Sequence, residues 1–375
     1  MDSIKLAFLR PLILVACVMA LTSCGFLSVK KAGIGEEIRW SDVPNWHVDN
    51  HAESWPALMN NCIALSKKPK WETICAAAKE IANPDDAQAL NFYQHWFVRH
   101  RLHGDKGKSR EMVTGYYEPL LQGSLTPSAR YQYPLYAPPD SLLIVDLGEL
   151  YPSLKGKRVR GRVDGNRVVP FFSRSEIESD RSLLNGEELI WVDNRDDAFF
   201  LQIQGSGRVQ LPDGSIIGVG YSNQNGHPYV SIGRVLLTRN ELEREEISLF
   251  TIRQWLKENP EKADALLNEN PSYVFFTLRE NSDGGPIGSL NVPLTAERSV
   301  AIDPRVVSLG TPVWLMTNLP GQTDQPYQRL VLAQDTGGAI KGPLRVDLFW
   351  GHGPYAEKSA GEMKERGELI VLLPK

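Results

Sequence analysis

Two aspartates near the C-terminus, Asp335 and Asp347, have the side chains and spacing that acid–base chemistry requires. They lie twelve positions apart, and a glycine-rich segment, 336–342, separates them. Asp347 stands inside an apolar strand-like run, where a carboxylate has low β propensity and is costly to bury. In a partly apolar cleft its pKa would rise, and the protonated fraction could act as a general acid. The alternatives are a solvent-facing Asp347 paired with Arg345, and an Asp335 that only caps a turn.

The sequence does not support two other kinds of chemistry. Asp335, Thr336 and Gly337 match the start of an aspartic-protease loop, but that reaction needs two such loops sharing one proton, and this chain has one. The seven histidines are scattered, and no pair has the spacing of metal ligands. We therefore expect neither a metal nor a cofactor.

The segment Phe199–Gln204 is predicted to be a strand, because apolar and polar residues alternate before Gly205. Strand alternation would place Gln202 and Gln204 on one face, next to the glycine-rich turn around Ser206. Amide side chains donate and accept hydrogen bonds, so this face suits a hydroxyl-rich ligand such as a sugar. The alternative is a half-exposed strand with a polar solvent face.

A second polar segment, Thr114–Pro119, combines a hydroxyl, two aromatic rings and a carboxylate. Within it Thr114, Tyr117 and Glu118 are candidate ligand-binding residues. A tyrosine pair in a strand can equally serve packing.

The N-terminus has the pattern of a bacterial lipoprotein signal. An apolar run of eleven residues, Pro11–Leu21, follows Lys5 and Arg10 and is too short to cross a bilayer, which takes about 20 residues. It leads to Cys24 in a lipobox-like context, so residues 1–23 are predicted to be removed and Cys24 to be lipidated. Gly25 carries no inner-membrane retention signal. We expect a lipid-anchored protein on the periplasmic face of the outer membrane, with residues 24–46 as a tether.

Beyond the tether, the pattern predicts helices first and then mostly strands. Predicted helices cover Trp71–Ile81, a segment from Pro84 to near Gly104, Ser248–Glu258 and Pro260–Leu267. Strand-like runs occupy 113–117, 142–146, 188–192, 199–204, 216–221, 273–278, 298–301, 313–316, 330–334, 344–349 and 369–373. The helical connector near 248–268 divides the β-rich stretches, which favours two domains.

Composition and cysteine usage fit a periplasmic globular protein. The chain has 375 residues and a net charge of −4, with no basic tract, so nucleic acid is not an expected partner. Cys62 and Cys75 form an even pair in an oxidising compartment, and we expect a disulfide that contributes roughly 3 kcal/mol through chain entropy.

Five motifs in order resemble the membrane-bound lytic murein transglycosylase A (MltA) family. They are Thr114–Pro119, Gln204–Gly207, Asn225–Tyr229 with Ser231–Arg234, Asn270–Phe276 and Asp335–Gly342. The resemblance extends from about Thr114 to the C-terminus. It implies a mainly β fold: a double-psi β-barrel domain with N-terminal helices (47–119 plus 256–375) and an inserted smaller β domain (120–255) that forms the other wall of a groove.

The resemblance also implies a reaction and its residues. Peptidoglycan glycan strands would be cleaved without water, with Asp347 as acid and then base and Asp335 supporting the site. The groove residues implied are Thr114, Tyr117, Glu118, Gln202, Gln204, Ser206 and Lys341. Cell-wall synthesis proteins are candidate partners.

Two rival functions stay open. A glycoside hydrolase on the same barrel would need a second carboxylate, for which Glu118 is the best candidate. A non-catalytic peptidoglycan-binding lipoprotein would be favoured by an Asp347 that Arg345 keeps charged.

Overall fold

A computed structural model describes residues 32–154, 159–279 and 284–375 of the chain. The predicted signal peptide and Cys24 lie outside these described residues. The helices are α1 (Trp55–Leu65), α2 (Pro69–Lys79), α3 (Asp86–Trp96), α4 (Arg174–Ser179), α5 (Arg195–Gln204), α6 (Ile232–Thr238), α7 (Leu249–Glu258), α8 (Pro260–Leu267) and α9 (Pro354–Glu362). Short 3-10 turns cover Trp40–Asp42, Trp46–Val48, His51–Ser54, Asp105–Gly107, Pro152–Leu154 and Arg181–Leu184.

The strands form three sheets. The first eight in chain order are β1 (Gly33–Glu37), β2 (Phe97–His103), β3 (Glu111–Glu118), β4 (Leu120–Ser124), β5 (Tyr133–Tyr136), β6 (Leu143–Val145), β7 (Val159–Asp164) and β8 (Arg167–Val169). The remaining nine are β9 (Glu188–Val192), β10 (Ser206–Gln210), β11 (Ile216–Gln224), β12 (Val274–Arg279), β13 (Ser299–Ala301), β14 (Pro312–Leu319), β15 (Gln322–Asp335), β16 (Val346–His352) and β17 (Lys364–Pro374).

The largest sheet has eight strands, in the order β1-β2-β17-β14-β15-β13-β16-β3, and β17 also pairs with β3. The pairings of β17, β14, β15, β13, β16 and β3 therefore close a cycle of six strands. Two pairs within it, β13–β15 and β16–β3, are parallel and the others are antiparallel. Branched aliphatic residues fill its core, including Val113, Val300, Val331, Val346 and Leu348. The predicted strands at 298–301, 313–316, 330–334, 344–349 and 369–373 all fall within this sheet.

A second sheet has six strands in the order β12-β11-β10-β4-β9-β5. Strands β6, β7 and β8 form a small third sheet. The chain passes from β3 into the second sheet at Pro119, and it returns to the first sheet after β12, which pairs with β11. Helices α4 to α8 accompany these strands, so the architecture is mixed sheet and helix rather than mainly β.

The N-terminal helices pack on the outside of the first sheet. Trp55 in α1 and Trp71 in α2 are buried in one cluster with Trp314 of β14. The predicted disulfide between Cys62 and Cys75 is confirmed, and it joins α1 to α2. Within the described ranges, no helix combines the length and apolar character needed to span a bilayer.

Two predictions near the N-terminus were wrong. The tether does not extend to residue 46, because β1 pairs with β2 and Trp46 is buried against Trp314. The helix after Pro84 does not continue towards Gly104. It begins at a capping box made by Asp85 and Gln88 and ends at Trp96, and the chain then becomes β2 because that segment pairs with β1 and β17.

The segment 199–204, predicted as a strand, is the second half of helix α5. The side chain of Asn194 accepts hydrogen bonds from the backbone N–H groups of Asp196 and Asp197, which starts the helix. Gly205, with φ 83°, ends it in the left-handed region. These capping signals outweigh the apolar alternation on which the strand prediction depended.

Candidate active site

Asp335 and Asp347 come together because of how three strands pair. Ala301 in β13 is the Cα partner of Asp335 on one side and of Asp347 on the other. Neighbouring strands are about 4.8 Å apart, so the two aspartate Cα atoms are roughly 10 Å apart. A register shift between Val300 and Ala301 makes Asp335, rather than Gln334, the partner of Ala301, and paired residues project to the same face of a sheet. Both carboxyl groups therefore reach the same cavity.

Asp347 has one hydrogen-bonded oxygen and one without a protein partner. The hydroxyl of Thr114 donates to Oδ1 at 2.6 Å. No residue that the structure describes donates to Oδ2. Burial raises the pKa of Asp347, the negative charge of Asp335 raises it further, and Arg345 and the Thr114 hydroxyl act in the opposite direction. The net direction is upward, so this carboxyl holds its proton more tightly than an exposed aspartate.

Arg345 acts on Asp347 without a direct ion pair. Its guanidinium donates to the Thr114 hydroxyl at 2.8 Å and to the backbone oxygens of Met112 and Val346. Among the described residues, no Arg345–Asp347 contact lies within ion-pair distance. Thr114 therefore stands between the two charges, and the predicted alternative of a carboxylate neutralised by Arg345 does not match this geometry.

Asp335 differs from Asp347 because both of its oxygens are hydrogen-bonded. Oδ1 accepts from the backbone N–H of Ser289 at 3.0 Å and from the Ser289 hydroxyl at 2.9 Å, and Oδ2 accepts from the Tyr116 hydroxyl at 2.9 Å. Burial raises the pKa of Asp335, and these donors and the backbone of Thr336 act in the opposite direction without reversing the net upward shift. Because both of its oxygens accept hydrogen bonds, Asp335 is better suited than Asp347 to stay ionised.

The glycine-rich loop between the aspartates is fixed at both ends. At its start, the backbone oxygen of Asp335 accepts from the N–H of Ile302. At its end, the buried carboxylate of Asp303 accepts from the N–H of Gly342 at 2.8 Å, and the adjacent Arg305 guanidinium is the main cause of the lowered pKa of Asp303. Asp303 was not among the predicted site residues, although it follows an apolar strand just as Asp335 does.

The cavity at these aspartates has a volume of about 770 Å³ and separates the two sheets. One wall comes from Asp335, Asp347 and the glycine-rich loop, including Lys341. The opposite wall comes from α5, β10 and the segment 224–229. Of the predicted groove residues, those that line it are Gln202, Gln204, Ser206 and Lys341. Thr114 stands behind Asp347 and contacts it directly.

Gln202 and Gln204 make different contacts because they lie on a helix rather than on a strand. Gln202 is buried, and its side-chain oxygen accepts from the Arg174 guanidinium at 2.8 Å and from the N–H of Val274. Gln204 accepts from the backbone N–H of Tyr117 at 3.1 Å and so links α5 to β3. Both residues border the cavity, but not as the side-by-side amide pair that a strand would present.

Two predicted residues, Tyr117 and Glu118, do not line the cavity. Tyr117 packs in the core of the first sheet and donates its hydroxyl to Glu357. Glu118 is 1% exposed and sits between the guanidinium groups of Arg208 and Arg279. A carboxylate that is buried and doubly paired has no free oxygen for substrate, so the position of Glu118 gives no support to a second acid at this site.

Tyr116 is one of the cavity residues that sequence reasoning missed. Strand alternation could have found it, because residues 114 and 116 share one face of β3 and residue 117 faces the other. Ser289 was also missed, and nothing local marks it: it reaches Asp335 through a loop 46 positions earlier in the chain. Tyr229, a further missed residue, lines the opposite wall with its ring partly exposed.

The arrangement provides one proton donor with a free oxygen and one saturated acceptor beside it. In such a pair the surroundings make one carboxyl easier to protonate than the other. This is typical of sites where one acid acts as a proton donor and the other as a fixed charge. Besides the two aspartates, the cavity is lined by hydroxyl, amide and aromatic groups and by Arg174, Lys341 and Arg345, which suits a polar chain. The geometry fits acid-catalysed cleavage of such a chain.

Comparison with known families adds two matches. The family model described as the MltA specific insert domain matches residues 112–277, and the 3D domain matches residues 298–373. The first match contains the second sheet together with β3, and the second contains Asp303, Asp335 and Asp347.

Similar proteins match over most of the chain. The "Membrane-bound lytic murein transglycosylase A" of Vibrio cholerae is 33% identical over 349 residues, covering 85% of this chain and 87% of the relative. The crystal structure of MltA from Neisseria gonorrhoeae (monoclinic form) is 32% identical, with a TM-score of 0.78 and coverage of 92% and 96%. A crystal structure of Escherichia coli MltA with bound chitohexaose is 28% identical, with a TM-score of 0.67 and coverage of 90% and 94%.

Proposed function

The chain belongs to the membrane-bound lytic murein transglycosylase A family, and we propose that it acts as a peptidoglycan lytic transglycosylase with Asp347 as its single acid–base catalyst. The bond cleaved is the β-1,4 linkage between N-acetylmuramic acid and N-acetylglucosamine. The products are a new N-acetylglucosamine end and a 1,6-anhydromuramoyl end.

The reaction needs one proton donor and no water. Protonated Asp347 donates its proton to the glycosidic oxygen while the bond from that oxygen to C1 of the muramoyl sugar breaks. The resulting carboxylate then accepts the proton of the muramoyl 6-hydroxyl as O6 bonds to C1. The proton returns to Asp347, so the catalyst is regenerated. Proton transfer of this kind contributes about 10²–10⁴-fold.

The observation that carries this proposal is the environment of Asp347. Its carboxyl lines the cavity with Oδ2 free of protein partners among the described residues, and burial raises its pKa. A protonatable acid favours catalysis over the rival function of passive peptidoglycan binding. That rival would be favoured by a direct pair with Arg345, but Arg345 donates to Thr114 instead.

Asp335 supports the reaction as a fixed negative charge. Its two oxygens are held by Ser289 and Tyr116, so it is poorly placed to deprotonate a water molecule. Its charge can stabilise the positive charge that develops at C1, and it also keeps the Asp347 proton in place. Hydrolysis needs a second carboxylate acting as base or nucleophile. With Asp335 saturated and Glu118 buried between two arginines, the hydrolase rival lacks that group.

The substrate is a glycan strand lying along the cavity between the two sheets. The relative from Escherichia coli was crystallised with chitohexaose, a glycan chain, which supports this choice. Gln204, Ser206, Tyr229 and Lys341 would contact the sugars, with the ring of Tyr229 offering a face for stacking.

We also assign the six-strand cycle of the first sheet as a double-psi β-barrel.

The site of action is the periplasmic face of the outer membrane, reached through lipidation of Cys24. Residue 33 begins β1, so the folded body follows the anchor by fewer than ten residues. Incorporation of a labelled fatty acid should be lost in Cys24→Ala, and incorporation that survives this change would remove the lipid-anchor proposal. Contact with cell-wall synthesis proteins stays a prediction.

The experiment that tests the catalytic proposal is mass analysis of muropeptides released from purified sacculi. We expect products lighter by one water than hydrolysis products, and their absence with Asp347→Asn. Full-mass reducing ends would identify a hydrolase instead. Binding to sacculi without release by the wild-type protein would identify the passive lipoprotein.

A further inference from the structure

A second cavity of about 390 Å³, here called the side cavity, adjoins the central one. It lies among α4, α5 and β5 in the insert, and it shares Arg174 and Gln202 with the central cavity. The two cavities therefore meet at these two side chains. The side cavity contributes no residue to the reaction described above.

Arg174 places a positive charge in this wall without an acidic partner. Its side chain is 2% exposed and donates to the backbone oxygens of Asn270 and Ser272 and to Gln202. Among the described residues, no carboxylate lies within ion-pair distance of it, and burial lowers its pKa to about 10. Its guanidinium also lies over the rings of Phe199 and Tyr273, at 4.6 and 5.1 Å from their centroids. These contacts hold the cation without neutralising its charge, so Arg174 can still pair with an anion in the side cavity.

Two tyrosine hydroxyls at the same cavity also lack protein partners. Tyr136 and Tyr273 are 2% and 3% exposed, and both line the side cavity. Neither hydroxyl forms a hydrogen bond with any residue in the described part of the chain. Buried tyrosine hydroxyls usually have a partner, so these two are available to a ligand. Burial raises the pKa of both, to about 12 for Tyr136, so both remain donors.

The rim of the side cavity carries both signs of charge. Glu178 and Arg181 form an exposed pair at 3.7 Å, and on the opposite side Arg195 is paired with Asp264. The interior thus offers a cation and two hydroxyl donors, whereas the rim also offers carboxylates. This distribution fits a ligand with a carboxylate at its inner end and an ammonium group nearer solvent. In a stem-bearing strand the sugars carry neither group, because the lactyl carboxyl of N-acetylmuramic acid is bonded to the stem as an amide.

We propose that the side cavity binds the peptide stem attached to the muramoyl sugar, with a stem carboxylate held by Arg174, Tyr136 and Tyr273. The inference rests on the proposed function, because peptidoglycan is the polymer whose glycan bears such peptides. A stem of four residues reaches about 13 Å when extended, enough to pass from one cavity into its neighbour. Arg174 and Gln202, common to both walls, would couple stem binding to glycan binding.

The test compares two substrates: stem-bearing glycan strands and strands freed of peptide by an amidase. The double variant Tyr136→Phe/Tyr273→Phe removes two hydroxyls and leaves the rings in place. We expect kcat/KM to fall about ten-fold or more on stem-bearing strands, as two hydrogen bonds predict, and to stay unchanged on stem-free strands. The matched control is Tyr131→Phe, a buried tyrosine of the insert outside the side cavity. An equal loss on both substrates, or no loss on either, would overturn the proposal.

A binding measurement separates this inference from the catalytic proposal. Free peptide stems released by the amidase should bind wild type and Asp347→Asn alike in calorimetry, and should bind the double tyrosine variant at least ten-fold more weakly. No binding to the wild type would overturn the inference whatever the variants do. Stem binding without release of anhydro products would instead contradict the catalytic proposal and support the assignment of the side cavity.

Discussion

Thr114 and Asp347 are direct partners in the parallel pair of β3 and β16, and the Thr114 hydroxyl donates to Asp347 Oδ1 at 2.6 Å. The same hydroxyl accepts from Arg345. One side chain thus orients the acid, leaves its second oxygen open to the cavity and keeps the guanidinium away from it.

Replacing Thr114 should change both the rate and its pH dependence. The hydroxyl favours the charged form of Asp347, so Thr114→Val should raise the pKa of that carboxyl further. Since the proposed mechanism needs protonated Asp347, the loss of kcat with increasing pH should then occur at higher pH than in wild type. Loss of orientation should lower kcat/KM about ten-fold or more, because hydrogen bonds to charged groups are worth about 1.5–3 kcal/mol. Thr114→Ser keeps the hydroxyl and should retain the wild-type profile; a similar shift in both variants would contradict this role.

Removing the charge of Asp335 should shift the pH dependence of kcat in the opposite direction, towards lower pH. The Asp335 carboxylate raises the pKa of Asp347, so Asp335→Asn lowers it, and the decline of kcat should begin at lower pH. Loss of a fixed charge near the reacting carbon should also lower kcat about 10²-fold. Asp324→Asn changes an exposed aspartate on the same strand and is the control. A profile that shifts upward would show that Asp335 does not act through its charge.

Asp347, the proposed catalytic acid, should reduce stability at neutral pH. Burial raises the pKa of Asp347, so the folded protein binds this proton more tightly than the unfolded chain. The contribution of this group to stability is then greatest below its ordinary pKa of about 4 and falls as pH rises to the folded value. Asp347→Asn should therefore raise the melting temperature at pH 7 by about 1–3 °C, with little gain near pH 3.5. Calorimetry at both pH values tests this, and an equal gain at both would contradict it.

Gly115 should tolerate no side chain, because a Cβ there would lie 2.5 Å from Nε1 of Trp350 and 2.9 Å from the Cα of Ala360. Gly115→Ala should lower the free energy of unfolding by about 1–3 kcal/mol, as overpacking does. A Cβ at Gly338 would meet no atom within 4 Å, so Gly338→Ala should leave stability unchanged. Denaturant unfolding of the two variants measures the difference, and equal stability of both would be inconsistent with close packing at Gly115.

Local sequence signals determined four of the nine described helices, most of the described strands and the best catalytic candidate. Apolar periodicity and turn residues located α2, α7, α8 and six strands of the first sheet, but not β1 and β2. Asp347 stood out because a carboxylate within an apolar strand needs a reason, and the Cys62–Cys75 pair followed from cysteine count and compartment. The error at α5 was also local: the capping residues Asn194 and Gly205 were present but were given less weight than alternation.

Tertiary structure alone decided which polar residues meet. Glu118 was a plausible second acid until Arg208 and Arg279, 90 and 161 positions away, were found beside it. Asp335 and Asp347 share a cavity because both strands pair with Ala301, and Ser289 reaches Asp335 from a distant loop. Side-chain type and spacing give the propensity of a segment, whereas the neutralisation, burial and pKa of a carboxyl depend on contacts between segments far apart in the chain. For that reason the sequence identified Asp347 as a candidate acid, whereas only the fold showed that one of its oxygens is free and that its pKa is raised.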